Sequence, residues 1–242
     1  MGKEPFPKVD EWIVFVGRSN VAKSSRSIEQ IIKHLELSGL CTHNFETKKT
    51  QRACRINAWF ASLLGGSVAS YCARHQKRGR WLKKLFKASW RLAHPADWDL
   101  SRFKGLSNNE RATKELRKLL LDWQRQWPSR TVHLLSHSAG GIISSWLESE
   151  PNVVSLVCFG YPFKSPHMGE EPYRTKHLQK VSKPFLIIQG ASDEYSSAEQ
   201  ARRYKLSKSI LVVDIPADHN YDDLPEDVYM NCLQLIRRHI GS

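Results

Sequence analysis

Ser136-His137-Ser138-Ala139-Gly140-Gly141 lies between an apolar run, Thr131–Leu135, and a helical pattern beyond it. It fits the G-x-S-x-G elbow, where a strand turns into a helix so tightly that the residues two before and two after the serine must be small. Ser136 and Gly140 meet that need, with Ser136 standing where the motif has its first glycine. Such a turn lifts the Ser138 hydroxyl clear of the sheet as a nucleophile. It also aims the Ala139 N–H at a developing oxyanion. A glycine-rich turn with an incidental serine has the same spelling, so the partners must decide.

The partners follow in order. Phe185–Gln189 is an apolar run leading to Gly190-Ala191-Ser192-Asp193, and Val212–Ile215 leads to Pro216-Ala217-Asp218-His219. Serine, acid, then histidine, with acid and histidine each just after a late strand, is a known triad order. His219 would take the proton from Ser138 and hand it to a leaving group. Asp193 would fix the tautomer of His219 and stabilise its imidazolium. The other nine histidines lack this placement. His137 reads as a packing neighbour of the nucleophile and His133 as part of a strand. Asp218, Asp222 and Asp223 are rival acids, but they lie too close to His219 in sequence.

A second turn competes. Gly17-Arg18-Ser19-Asn20-Val21-Ala22-Lys23-Ser24 follows one apolar run and precedes a helical one, nearly spelling the P-loop G-x-x-x-x-G-K-[ST]. That loop needs a glycine before the lysine so that its amides can cradle phosphates. Here the position holds Ala22, no D-x-x-G follows, and no N-K-x-D exists anywhere. Nucleotide binding through Gly17–Ser24 is therefore a distant alternative.

These turns need elements to position them. Glu11–Val16, Leu40–Glu46, Thr131–Leu135, Val153–Phe159, Pro184–Gln189 and Ser209–Ile215 read as strands. Ser25–Leu37, Asn109–Gln126, Ala139–Glu148, Ser196–Leu206 and Glu226–His239 read as helices. Strands alternating with helices predict an α/β fold with a mostly parallel, doubly wound sheet. The 242 residues suit one large domain, residues 1–242, without a linker or internal repeat.

Charge sets one stretch apart. Of the net +13, an excess of +11 falls between Ala73 and Arg130, which hold 16 Lys/Arg and 5 Asp/Glu. Such a field favours acidic partners. Trp81–Leu92 reads as an amphipathic helix. Trp81, Leu82, Leu85, Phe86, Trp90 and Leu92 fill one half of its wheel, and Lys83, Lys84, Lys87 and Arg91 an arc of the other. Contact with an anionic surface through those four cations is one reading. The preferred one is a lid helix that packs its apolar half and solvates its cations.

Several classes are excluded by composition. The apolar share of 40% argues against disorder, and the longest apolar runs are far too short to span a bilayer. Met1–Asp10 is polar and predicts no signal peptide, and Phe6 spoils a myristoylation site. Cys41, Cys54, Cys72, Cys158 and Cys232 are odd in number and form no C-x-x-C pair, which suits a reducing, cytoplasmic compartment.

From Val132 onward the chain resembles the dienelactone-hydrolase-like branch of the α/β-hydrolases, and most nearly hydrolase-like domains of the Tex/KANL type. The carrying stretches are SHSAGG at Ser136–Gly141, CFGYPFKSP at Cys158–Pro166, HLQKVSKPFLIIQGASDEY at His177–Tyr195 and ADHNY at Ala217–Tyr221. The resemblance implies an α/β-hydrolase fold lacking the first two strands of the full sheet. It implies Ser138 as nucleophile, Asp193 as acid and His219 as base, with no metal or organic cofactor. The loop Gly17–Asn20 stands where the family has a His-Gly or glycine-rich loop, so Arg18 or Ser19 would give the second oxyanion N–H beside Ala139. Residues 48–104 would be an insertion forming a lid. The expected activity is cleavage of a small-molecule carboxylic ester or thioester through an acyl-enzyme on Ser138. The alternative is a non-catalytic, hydrolase-like binding or scaffold domain that uses its basic face. Acyl chain length and oligomeric state are not legible.

Overall fold

The structure is a computed structural model that describes residues 10–18, 25–59, 62, 76–95 and 105–241. The chain divides into two compact units, Met1–Phe45 with Asn108–Ser242, and Glu46–Ser107.

In the first unit, β1 (Glu11–Val16), β2 (Cys41–Phe45), β3 (Thr131–His137), β4 (Val153–Phe159), β5 (Phe185–Gly190) and β6 (Ile210–Ile215) form one sheet in the order β2-β1-β3-β4-β5-β6. Every neighbouring pair is parallel. Adjacent residues of a strand point to opposite faces. Val14, Leu134 and Leu156 therefore join one core with Leu116, Leu120 and Ile142. Ile13, Leu135 and Val157 join the other with Ile28, Ile31, Leu233 and Ile236. The first core is covered by α4 (Asn108–Gln126) and α5 (Ala139–Ser145), the second by α1 (Arg26–Leu37) and α8 (Glu226–Ile240). Both faces are thus apolar, as a doubly wound parallel sheet requires.

The strand order also positions the site. The chain steps from β1 outward to β2, then returns to β3 on the other side of β1. The C-terminal ends of β1 and β3 flank this reversal, the place where open α/β sheets bind ligands. Gly17 and Arg18 follow β1 there, and Ser138 follows β3.

Some elements differ from expectation. β3 runs to His137 because Ser136 and His137 still pair with Cys158 and Phe159 of β4. The helix expected over Ser196–Leu206 is the single turn α7 (Ala198–Ala201), opened by a capping box of Ser197 and Gln200. Tighter bonds close it, with the Arg203 and Tyr204 amides donating to the Gln200 and Ala201 carbonyls, and Tyr204 stacks on Phe163. The short helix α6 (Pro172–Thr175) and the 3-10 segment Lys176–Lys180 have no clear periodicity to announce them.

The second unit contains α2 (residues 48–59) and α3 (Gln76–Ala93). The helix α3 extends the expected Trp81–Leu92 by five residues at its start and one at its end. Trp90 meets Trp59 edge to face at 5.0 Å and stacks on His94 at 3.9 Å. Lys84 is exposed, and so are Trp81, Leu85 and Leu92, at 64%, 45% and 77%. The helix makes its aromatic contact through Trp90, at the edge of the apolar half opposite Trp81, Leu85 and Leu92. The side chains of Lys83, Phe86, Lys87 and Arg91 lie outside the described residues. No helix among the described residues is long and apolar enough to cross a membrane. Cys41, Cys54, Cys158 and Cys232 are free thiols.

Candidate active site

Ser138 is the single residue between β3 and α5, with φ 56° and ψ −124°. A non-glycine residue there is strained, and such strain persists only where the surroundings enforce it. Here they do. The Ser138 amide donates to the Phe159 carbonyl at 2.9 Å, and the Ser136 hydroxyl to the Val157 carbonyl at 2.9 Å. Gly140 lets the start of α5 touch the end of β1, since a Cβ there would come within 1.9 Å of the Val16 carbonyl oxygen and 3.0 Å of Gly17's. Gly141 is equally constrained, because a Cβ would lie 2.4 Å from Cys158 Sγ. The Ala139 N–H is the first amide of α5, and a first-turn amide has no partner within its helix.

Asp193 and His219 come to the same spot from the turns after β5 and β6. Ser138 Oγ is 2.8 Å from His219 Nε2, and His219 Nδ1 is 2.9 Å from each Asp193 carboxylate oxygen. All three residues are buried. A proton on Nδ1 satisfies the carboxylate, which leaves Nε2 to accept from the Ser138 hydroxyl. Asp193 is itself held. The Tyr195 amide donates to Oδ1 at 2.8 Å, and Gln189 Nε2 to Oδ2 at 2.9 Å and to the Ser196 carbonyl at 2.7 Å. Gly160, with φ 57°, has the site against it: a Cβ would lie 3.0 Å from Asp193 Oδ2 and 3.1 Å from His219 Nδ1. The Tyr195 ring lies 4.3 Å from the His219 ring.

Residues 104–230, more than half of the chain, match the alpha/beta hydrolase domain family. The chain belongs to that family. Solved structures share its fold at low identity. An alpha-beta serine hydrolase homologue from Coxiella burnetii is 16% identical, with a TM-score of 0.56 over 94% of this chain and 83% of that one. A Paleococcus ferrophilus monoacylglycerol lipase is 13% identical, with a TM-score of 0.55 over 94% of each chain. Against one structure of the Pyrococcus furiosus esterase Pf2001 (12% identity, TM-score 0.43), the match covers 54% of this chain and 63% of that one, just under two thirds of its length. No curated protein matches the sequence.

Other serine–histidine pairs in this hydrolase domain are built differently. Ser145 Oγ lies 2.8 Å from His177 Nε2, but His177 Nδ1 accepts from the Trp146 indole N–H at 3.3 Å. The ring proton must then sit on Nε2 and point at Ser145, so His177 cannot take a proton from it. Burial pulls His177 down to about 4, which keeps it neutral. His133 Nδ1 meets Ser155 Oγ at 2.7 Å between two strands of the sheet. The rival acids are also occupied elsewhere. Asp218 accepts from the Asn220 and Tyr221 amides, Asp222 from the Arg26 amide, and Asp223 pairs with Arg26 at the surface.

Of the residues expected at the oxyanion site, Ala139 lies at the start of α5, and Ser19 lies outside the described residues, as does the rest of the P-loop look-alike to Ser24. Arg18 is described, and its side chain does something the sequence did not suggest. Its guanidinium donates to Asn220 Oδ1 at 2.9 Å and to the His219 carbonyl, and it lies 3.0 Å from His137 Nε2. Gln189 was also missed, although a polar residue closing the apolar run Phe185–Gln189 was a usable signal. Among the described residues, no group of three or more His, Cys, Asp or Glu is arranged to hold a metal ion.

Proposed function

We propose that the protein is a serine hydrolase that cleaves a carboxylic ester or thioester through an acyl-enzyme on Ser138. The single observation that carries this reading is the continuous hydrogen-bonded line Ser138 Oγ–His219 Nε2–Nδ1–Asp193 at 2.8 and 2.9 Å. The strained backbone of Ser138 supports it, since it sets the hydroxyl beside the N-terminus of α5.

Ser138 Oγ attacks the acyl carbon while its proton passes to His219 Nε2. The carbonyl oxygen becomes an oxyanion facing the Ala139 N–H and a second amide from the loop after β1, at Arg18 or Ser19. Asp193 stabilises the imidazolium without taking its proton. The carbon–oxygen or carbon–sulfur bond breaks, and the alcohol or thiol leaves with the proton from His219. Water then gives its proton to His219 and attacks the acyl carbon. The carboxylic acid departs and the proton returns to Ser138.

Hydrolysis of p-nitrophenyl acetate and of an acyl thioester by the purified protein tests this reading. Turnover of either, lost by about 10³-fold or more in Ser138→Ala, is the expected result. Equal rates for the protein and its Ser138→Ala variant would overturn it, and no turnover by either would leave a non-catalytic binding domain.

A further inference from the structure

We propose that Arg18 is a positioning residue for the histidine base, a role that rests on the hydrolase reading above. Through its side chain, Arg18 ties the loop after β1 to the loop that carries His219. It also fixes His137, the neighbour of the nucleophile, with its proton on Nδ1.

One ring nitrogen of His137 is crowded. His137 Nε2 lies 3.0 Å from Arg18 Nη2, 3.3 Å from Arg18 Nε and 3.0 Å from the His219 carbonyl oxygen. It cannot serve both kinds of neighbour. A protonated Nε2 would suit the carbonyl but would point its N–H at a guanidinium, which can only donate. An unprotonated Nε2 accepts from Arg18, and the carbonyl then receives its hydrogen bond from Arg18 Nη2. Only the second arrangement satisfies all three groups. Burial first, and then the charge of Arg18, push His137 down to about 3, so the ring is neutral and one nitrogen is free to accept.

The consequence falls on His219. Its ring is held by Ser138 and Asp193, and its carbonyl by Arg18. The next residue is held as well, since Arg18 Nη1 donates to Asn220 Oδ1 at 2.9 Å. A planar fork can hold these acceptors together, which a lysine ammonium cannot do in the same geometry. Arg18 thus links the ends of β1, β3 and β6 at the site, with partners 119 to 202 residues away. Loss of this link lets the base drift, and a displacement of about 1 Å costs about 100-fold in rate.

Nitrogen-15 NMR of histidine-labelled protein reads the tautomer directly. The expected result is His137 with its proton on Nδ1, moving to Nε2 in Arg18→Met, where the ring is freed to donate to the His219 carbonyl. Steady-state kinetics on p-nitrophenyl acetate, a neutral ester, gives the second readout. Arg18→Met and Arg18→Lys should each lower kcat by about 10- to 100-fold with KM little changed. An Nε2–H tautomer in the unaltered protein would overturn the proposal, whatever the variants do. So would a rise in KM with kcat intact, which would make Arg18 a substrate-binding group. A loss of melting temperature with kcat intact would reduce it to a structural clamp. If the unaltered protein hydrolyses no ester or thioester, the hydrolase reading fails while the tautomer measurement still judges the link.

Discussion

The carbonyl oxygen of Val16 lies where a side chain on Gly140 would begin, 1.9 Å from an ideal Cβ. The end of β1 and the first turn of α5 are therefore in backbone contact, which holds the loop after β1 against the turn that carries Ser138. Gly140→Ala must push one of them away, at a cost of about 1–3 kcal/mol for overpacking. Chemical denaturation should show that loss, and ester hydrolysis should fall further than stability does. A variant with unchanged stability and turnover would contradict the contact.

Gln189 offers a test of the acid. Its amide donates to both Asp193 Oδ2 and the Ser196 carbonyl inside the protein. Gln189→Leu leaves two buried acceptors short of a donor, which costs about 1–3 kcal/mol each. Gln189→Glu should be worse, because it sets a second carboxylate beside Asp193. Urea denaturation of the two variants at pH 7 ranks them, and a glutamate variant as stable as the native protein would contradict this geometry.

The burial of His177 predicts a pH dependence of stability. Its value falls from 6.5 in the unfolded chain to about 4 in the folded one. Below pH 6.5 the unfolded chain binds a proton that the folded chain refuses, so stability falls as pH falls. The loss accrues between about 6.5 and 4, with a slope approaching 1.4 kcal/mol per pH unit for one proton. His177→Gln removes this contribution, so its denaturation midpoint should change less between pH 7 and pH 5 than that of the native protein. Parallel curves would contradict it.

How much of this was legible in the sequence follows from what each residue depends on. The tight turn at Ser138 was legible because its backbone admits few residue types, so Ser136, Ser138 and Gly140 carry it in their spelling. Asp193 and His219 were legible because each follows an apolar strand whose length and order were clear. The contacts of Arg18 were not, since its partners are His137 and the His219–Asn220 turn, far along the chain. Gly160 was equally silent, because the side chains that would crowd a Cβ there, Asp193, His219 and Tyr221, lie far along the chain. Periodicity gave the face of α3 that is apolar, but not which part of that face is packed. The single turn α7 ended early for a tertiary reason, with Tyr204 drawn onto Phe163.

The composition of α3 predicts contact with anionic lipid. Its 18 residues hold seven Lys/Arg and no Asp/Glu, and Trp81, Leu85 and Leu92 are exposed along one stripe. An amphipathic helix of this kind gains from both apolar insertion and charge. Co-sedimentation with phosphatidylserine vesicles should fall as salt rises and should weaken in Trp81→Ala. Equal binding to neutral vesicles would contradict the electrostatic part.

The central claim is that His219 and Asp193 activate the hydroxyl of Ser138, set 2.8 Å from His219 Nε2. A fluorophosphonate reacts with an activated serine and forms a stable adduct that intact-protein mass spectrometry counts. The expected result is one adduct per chain, mapped to Ser138, absent in Ser138→Ala and strongly slowed in His219→Gln. No adduct on the folded protein, or an adduct that persists in Ser138→Ala, would contradict it.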